Sequence, residues 1–161
     1  MIIQYTHETP VSNLTLVADD DALLQLLLPN AVPGDHPEGR NAIIDLAIAQ
    51  LDEYFAGKRF CFDLPLALHG TAFQEKVWQA VSEIPYGETA SYADIAAAIE
   101  RPRAVRAVGA ANGANPIPLI IPCHRIIGKS GNLVGYGGGL ELKRCLLDLE
   151  AKYTNSDTAP R

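Results

Sequence analysis

Residues 91–116 read SYADIAAAIERPRAVRAVGAANGANP, and this stretch decides the fold of the half of the chain in which it lies. Ser91 with Asp94 three residues on is a capping-box pattern, in which a hydroxyl and a carboxylate satisfy two orphan N–H groups at a helix start. The helix so opened buries Tyr92 or Ile95 together with Ile99. Pro102 reads as the first residue of a second helix, where its missing N–H would be unpaired anyway, and Val105 and Val108 mark the buried face. That helix ends near Gly113, because Asn115 precedes Pro116 and Pro118 follows shortly. Two short helices about four residues apart predict a helix-turn-helix.

Upstream, Thr71 and Gln74 form another capping box before Phe73, Val77, Trp78 and Val81, and a turn at Pro85-Tyr86-Gly87 follows. The character of the chain changes around Leu64 to Gly70, which marks a domain boundary. Before it, residues 1–28 hold short runs rich in Ile, Val, Thr and Leu broken by Pro10, Asn13 and Asp19 to Asp21, the pattern of a three-stranded meander. Asn30 to Gly39 has the composition of an exposed loop. Ile43, Ile44, Ala47, Leu51, Tyr54 and Phe55 then fall at helical spacing, with Gly57 placed to cap the helix in a left-handed conformation. Downstream, Ile117 to Ile121 reads as an extended segment that delivers Cys123. A glycine-rich turn at Gly135 to Gly139 leads to a last helix with Leu142, Leu146 and Leu149 inward, ending near Glu150 and Ala151. The expected organisation is α+β: a first domain over 1–68, a second over 69–152, and a disordered tail over 153–161.

The chain has 161 residues, 48% of them hydrophobic, enough for a globular core in one ordinary domain or two small ones. No run approaches the ~18 apolar residues of a membrane span, and MIIQYTHETP lacks the basic-then-apolar order of a signal peptide, so a cytoplasmic protein is expected. Cys61, Cys123 and Cys145 show no C-x-x-C spacing, which argues against a disulfide framework or a cysteine-rich zinc site. The net charge of −6 argues at first against nucleic acid. The charge is unevenly spread, however. Residues 1–69 carry three Lys or Arg against ten Asp or Glu, whereas residues 70–150 carry eight of each, with Arg101, Arg103 and Arg106 clustered.

The chemistry concentrates in Pro122-Cys123-His124-Arg125, set inside the apolar run IPLIIPCHRII. A free thiol at a pKa of about 8.5 is mostly protonated at neutral pH and needs a base or a positive field to become a nucleophile. His124 and Arg125 are adjacent candidates. On a strand their side chains would alternate, so His124 reaches the sulfur through a turn or a water. His124 in turn needs a carboxylate to hold its tautomer, and Glu150 or Glu141 on the last helix could fold back to supply one. The alternative is that Cys123 is a small buried hydrophobe, a description that suits Cys61 between two phenylalanines and Cys145 beside leucines. The three arginines fit either a solvated helix face or the phosphate-facing side of a nucleic-acid reader.

Taken together, GTAFQEKVW (70–78), IPYGETASYADIA (84–96), RAVGAANGANP (106–116), IPCHRIIG (121–128) and GYGGGLELKRCLL (135–147) resemble the methylated-DNA-protein-cysteine methyltransferases, the O6-alkylguanine-DNA alkyltransferases, in order and spacing. The resemblance covers roughly residues 53–151. It implies a small ribonuclease-H-like N-terminal domain followed by a winged-helix-like helix-turn-helix domain. It also implies a reaction: single-turnover transfer of an alkyl group from O6 of guanine, and from O4 of thymine, in duplex DNA to Cys123. By the same resemblance His124, linked to the thiol through water and to Glu150 directly, draws off the thiol proton, and Tyr92 donates a proton as guanine leaves. Asn115 positions the cysteine loop and the substrate pocket, Arg125 braces the nucleophile's surroundings, and both count with Tyr136, Gly137 and Gly138 as substrate-binding residues. Arg106 fills the space of a flipped nucleotide, Arg103 binds DNA beside it, and the small residues Ala107, Gly109, Ala110 and Ala111 allow close approach in the minor groove.

Where some relatives have a serine, this chain has Gly137, so a hydroxyl contact to substrate must come from backbone or water. Some relatives hold a structural zinc, but the first half offers only Cys61, His7, His36 and His69 without a close ligand pair, so no metal and no cofactor is expected. The expected partner is double-stranded DNA, bound by a monomer that can cluster along it. Three other readings compete: an alkyltransferase-like protein that recognises damage without transfer, a cysteine hydrolase, and a plain helix-turn-helix regulator.

Overall fold

A computed structural model describes residues 1–128 and 136–154. Strands β1 (Ile3–Glu8), β2 (Asn13–Ala18) and β3 (Leu23–Leu27) form an antiparallel meander in the order β1-β2-β3. The β1–β2 register runs from Ile3 opposite Ala18 to Glu8 opposite Asn13. The turn into β3 is held by the Asp19 carboxylate, which accepts the Asp21 and Ala22 N–H groups at 2.8 Å each. β2 does not alternate: every residue from Leu14 to Ala18 is buried, as expected of a central strand covered on both faces. Helix α1 (Ala42–Phe55) covers one face, its start capped by Asn41 and its end followed by Gly57 at φ +75°. The outer side of β3 is also occupied. Leu23 exchanges hydrogen bonds with the chain at Pro65 and Ala67, and Leu26 N–H donates to the Pro116 carbonyl at 3.0 Å, tying the meander to the second half.

In that second half α2 (Ala72–Ser82), α3 (Tyr92–Ala98) and α4 (Val105–Gly113) pack on one another. Both capping boxes are formed, Thr71 with Gln74 and Ser91 with Asp94. Trp78 is buried and its indole N–H donates to the Ala111 carbonyl at 2.8 Å, locking α2 to α4. The core is continuous between the halves, from Leu14, Leu16, Leu26 and Leu51 to Val77, Val108, Ile117 and Leu146. Each such side chain contributes about 1.5–3 kcal/mol by leaving water.

Four sequence expectations are corrected. Pro102 does not open α4. Arg101 N–H bonds back to the Ala96 carbonyl at 2.8 Å and Glu100 N–H to Ala97 at 3.0 Å, with Glu100 at φ +61°. This closing motif of α3 consumes residues 99–101, so Pro102 and Arg103 lie in a turn and the helix begins at Val105, which is exposed. Secondly, Ile117 to Ile121 is not an extended strand. Leu119 sits at φ +78° and Ile121 N–H bonds the Ile117 carbonyl at 2.9 Å, a tight buried turn that feeds Cys123–Arg125 into a single turn of 3-10 helix.

Thirdly, Cys61 and Cys145 are exposed; only Cys123 is buried. Cys145 falls on the outer side of the last helix, and Cys61 lies in a loop. Lastly, the last helix α5 (Leu140–Thr154) continues past Glu150 and Ala151. Its end is packed: a Cβ on Gly57 would overlap the Tyr153 ring, and one on Gly87, at φ +80°, would overlap Thr154. Residues 153 and 154 of the expected tail are therefore helical, and 155–161 lie outside the described residues. So does residue 135 of the expected glycine turn.

Candidate active site

Asn115 builds the floor of the site. Its amide N–H donates to the Ile121 carbonyl at 2.8 Å and its amide oxygen accepts Ile117 N–H at 2.9 Å, so one side chain closes the tight turn before the cysteine. The Cys123 thiol is nearly enclosed, 6% exposed, and faces a cavity of about 610 Å³. Burial pushes the thiol up to about 11, opposed by the Asn115 amide, the Leu119 backbone and the charge of Lys143. Tyr92, Gly109, Asn115, Tyr136 and Gly137 line the cavity, as do Leu26 to Leu28 and Asn30 from the first half. Asn30 also reaches the Gly137 carbonyl at 3.3 Å. Gly138 lies against Leu28, Tyr136 and Leu142 with no room for a side chain.

Behind the thiol stands a charged cluster closed to water. His124 is fully buried and its Nε2 lies 2.7 Å from Glu150 Oε2. Arg125 grips the same carboxylate with Nε to Oε1 at 2.8 Å and a second guanidinium nitrogen to Oε2 at 3.0 Å, and spends its third on the Ile84 carbonyl at 2.6 Å. Gly87 N–H adds a longer bond to Oε1 at 3.3 Å. Burial alone would raise the Glu150 pKa, but the bonds and charges of His124 and Arg125 bring it down to about 2. An ionised Glu150 can only accept, so His124 carries its proton on Nε2. Its Nδ1 is buried and makes no hydrogen bond among the described residues, which leaves its lone pair unused there. Burial pulls the His124 pKa below its ordinary value against the pull of Glu150. The charges of Arg125 and Lys143 act in the same direction as burial, disfavouring the imidazolium.

The predicted residues thus divide into groups. Cys123, Tyr92, Asn115, Tyr136, Gly137 and Gly109 meet at the cavity. His124 and Glu150 meet behind it. Arg125 faces Glu150, not the cavity: its contacts fit the bracing of the nucleophile's surroundings, but its place among the substrate-binding residues is corrected, because the buried carboxylate claims its guanidinium. Arg106, Ala107 and Ala110 lie on the exposed side of α4, and Arg103 in the exposed turn before it, whereas Ala111 is buried against Trp78 and is corrected as a DNA-facing residue. Glu141, the alternative partner of His124, is exposed. Two residues were missed. Lys143, fully buried on α5, bears on Cys123, and burial lowers its pKa against the attraction of the thiolate. Tyr54 of α1 donates its hydroxyl to Glu150 Oε2 at 2.6 Å. Spacing signalled Lys143 weakly: it shares the inward face of α5 with Leu146 and Glu150. Nothing local signalled Tyr54's polar role.

Residues 72–152 match the family model of the 6-O-methylguanine DNA methyltransferase DNA-binding domain, and residues 2–68 that of the 6-O-methylguanine DNA methyltransferase ribonuclease-like domain. A constitutive methylated-DNA–protein-cysteine methyltransferase of Bacillus subtilis is 47% identical over 155 residues, covering 90% of this chain and 93% of its own. The Mycobacterium tuberculosis methyltransferase is 47% identical over 160 residues, covering 98% and 97%. Among solved structures, that of Mycobacterium tuberculosis OGT in complex with DNA superposes with a TM-score of 0.88 at 47% identity, covering 93% of each chain.

Proposed function

The chain belongs to the methylated-DNA–protein-cysteine methyltransferase family, and from that premise we propose that it repairs alkylated duplex DNA by direct reversal, with Cys123 as the acceptor. The observation that carries this reading is a buried thiol facing a cavity, next to a buried imidazole with one nitrogen unpartnered among the described residues and the other held by Glu150. His124 Nδ1 takes the Cys123 proton through a water. The sulfur attacks the alkyl carbon on O6 of guanine, or on O4 of thymine, and the C–O bond breaks as the S–C bond forms. Tyr92 protonates the departing base. The product is a thioether with no leaving group for water to displace, so each molecule acts once.

The base must leave the stack to reach this cavity, at a cost of a few kcal/mol. Arg106 takes its place in the duplex, with Ala107, Gly109 and Ala110 against the minor groove and Arg103 on a phosphate. In the cavity Asn115 positions the thiol loop, Tyr136 walls the base, and Gly137 and Gly138 present backbone N–H groups to it. We take residues 1–68 and 69–152 as the two units, in keeping with the matched segments 2–68 and 72–152. The protein works as a monomer that clusters on DNA, in the reducing cytoplasm that suits its free thiols. Among the described residues no helix is long and apolar enough to cross a membrane.

The test is to incubate the protein with duplex DNA carrying O6-methylguanine and to map the product by mass spectrometry. One methyl group should appear on the Cys123 peptide, in an amount that stops at one per protein and is absent from Cys123→Ala. Repeated turnover would mean a hydrolase, and tight binding without a mass change would mean a damage-recognition protein.

A further inference from the structure

Tyr54 lies in the half of the chain that holds neither the thiol nor its base, yet it is completely buried and spends its hydroxyl on the catalytic carboxylate. Its ring is fixed by Phe55, Phe62 and Tyr86, with centroids 5.2, 5.5 and 6.1 Å away. A carboxylate offers about four lone-pair sites, and Glu150 is fully subscribed: Oε2 accepts from Tyr54, His124 and Arg125, and Oε1 from Arg125 and Gly87. Tyr54 and His124 therefore share one oxygen, at 2.6 and 2.7 Å. Tyr54 can only be the donor, since burial and then the charge of Glu150 hold its hydroxyl protonated well above the ordinary phenol range.

We propose that Tyr54 is a positioning residue for alkyl transfer, a hydroxyl supplied by the first domain that moderates the pull of Glu150 on His124 and so keeps His124 neutral and ready to accept the thiol proton. The inference rests on the assignment of Cys123, His124 and Glu150 above. A donor on Oε2 withdraws charge from the oxygen that faces Nε2–H; without it, Glu150 stabilises imidazolium more strongly and, toward acid pH, a larger fraction of His124 is already protonated and cannot take the thiol proton. The other charged or titratable groups bearing on His124 are Arg125 and Lys143, and those bearing on Glu150 include Tyr86 and Tyr136. None of these is altered by changing Tyr54→Phe, which removes one oxygen and keeps the packed ring.

The experiment compares parent, Tyr54→Phe and Glu150→Gln by the single-turnover rate of methyl transfer from duplex DNA across pH, by NMR titration of the His124 ring, and by thermal unfolding. Tyr54→Phe should move both the acid limb of the rate profile and the His124 titration upward by about half a unit or more, so that transfer on the acid limb slows by about threefold or more while the rate at higher pH changes little. If the limb and the His124 titration stay where they are in the parent, whether or not the melting temperature falls, Tyr54 is only a packing residue and the inference is overturned. If Glu150→Gln itself transfers methyl at the parental rate, the assignment of the catalytic group fails instead, and the two failures are distinct.

Discussion

Acidification should cost this fold more than it costs a Glu150→Gln variant. Glu150 is 1% exposed, and its pKa is held at about 2, against an ordinary value of 4.5. A folded-state pKa below the unfolded one gives stability that is fully present above the unfolded value and is lost as pH falls toward the folded one. The window is therefore from about pH 5 down to about 2, and a gap of about 2.5 units is worth on the order of 3 kcal/mol across it. At neutral pH Glu150→Gln should be less stable by about 3 kcal/mol or more, since Arg125 loses its counter-charge in a buried site. In acid the two should converge. Urea unfolding of both proteins at about pH 7, 5, 4 and 3 measures this directly, with the parent losing up to about 1.4 kcal/mol more per pH unit in the steep part of the window. Parallel stability curves across that range would refute the reasoning, because they would mean that Glu150 titrates alike in the folded and unfolded chain.

Two shorter predictions accompany it. Glu100 occupies a left-handed conformation at the end of α3, at φ +61°, so Glu100→Gly should stabilise the fold by about 1 kcal/mol in urea unfolding; no gain would mean that the Glu100 side chain has a compensating contact. Arg106→Ala should slow repair of duplex DNA much more than reaction with free O6-alkylguanine, because only the duplex requires flipping, and equal losses in the two assays would remove Arg106 from that role.

What could be read from the sequence follows the range of the forces involved. Both capping boxes and the left-handed Gly57 are written within four residues of themselves, and they were legible. Helix α4 was mistaken at its start because Pro102 is compatible with a first helical position; the bond from Arg101 N–H to Ala96 had already committed that segment to closing α3. The run at 117–121 looked like a strand because an apolar β-branched stretch does not reveal whether its hydrogen bonds run to a neighbour or turn inward onto Asn115. At the site, Cys123 and His124 were visible as neighbours and Glu150 by resemblance. Arg125 was legible as a brace but not as a partner of Glu150 turned away from the cavity, since which group claims a guanidinium depends on a residue 25 positions away. Tyr54 read as one more apolar helix position. Its partner lies 96 residues along the chain, and no periodicity carries that distance.

The Glu150 cluster joins three stretches of chain that a ribosome makes at very different times: Tyr54 on α1, the Cys123–Arg125 turn, and finally α5. Until α5 has been made and has folded back, Arg125 and His124 lack the carboxylate that both of them hold, and Tyr54 lacks its acceptor. The site is therefore the last part of the fold to be finished, and a chain truncated before α5 would lack all of the bonds to Glu150.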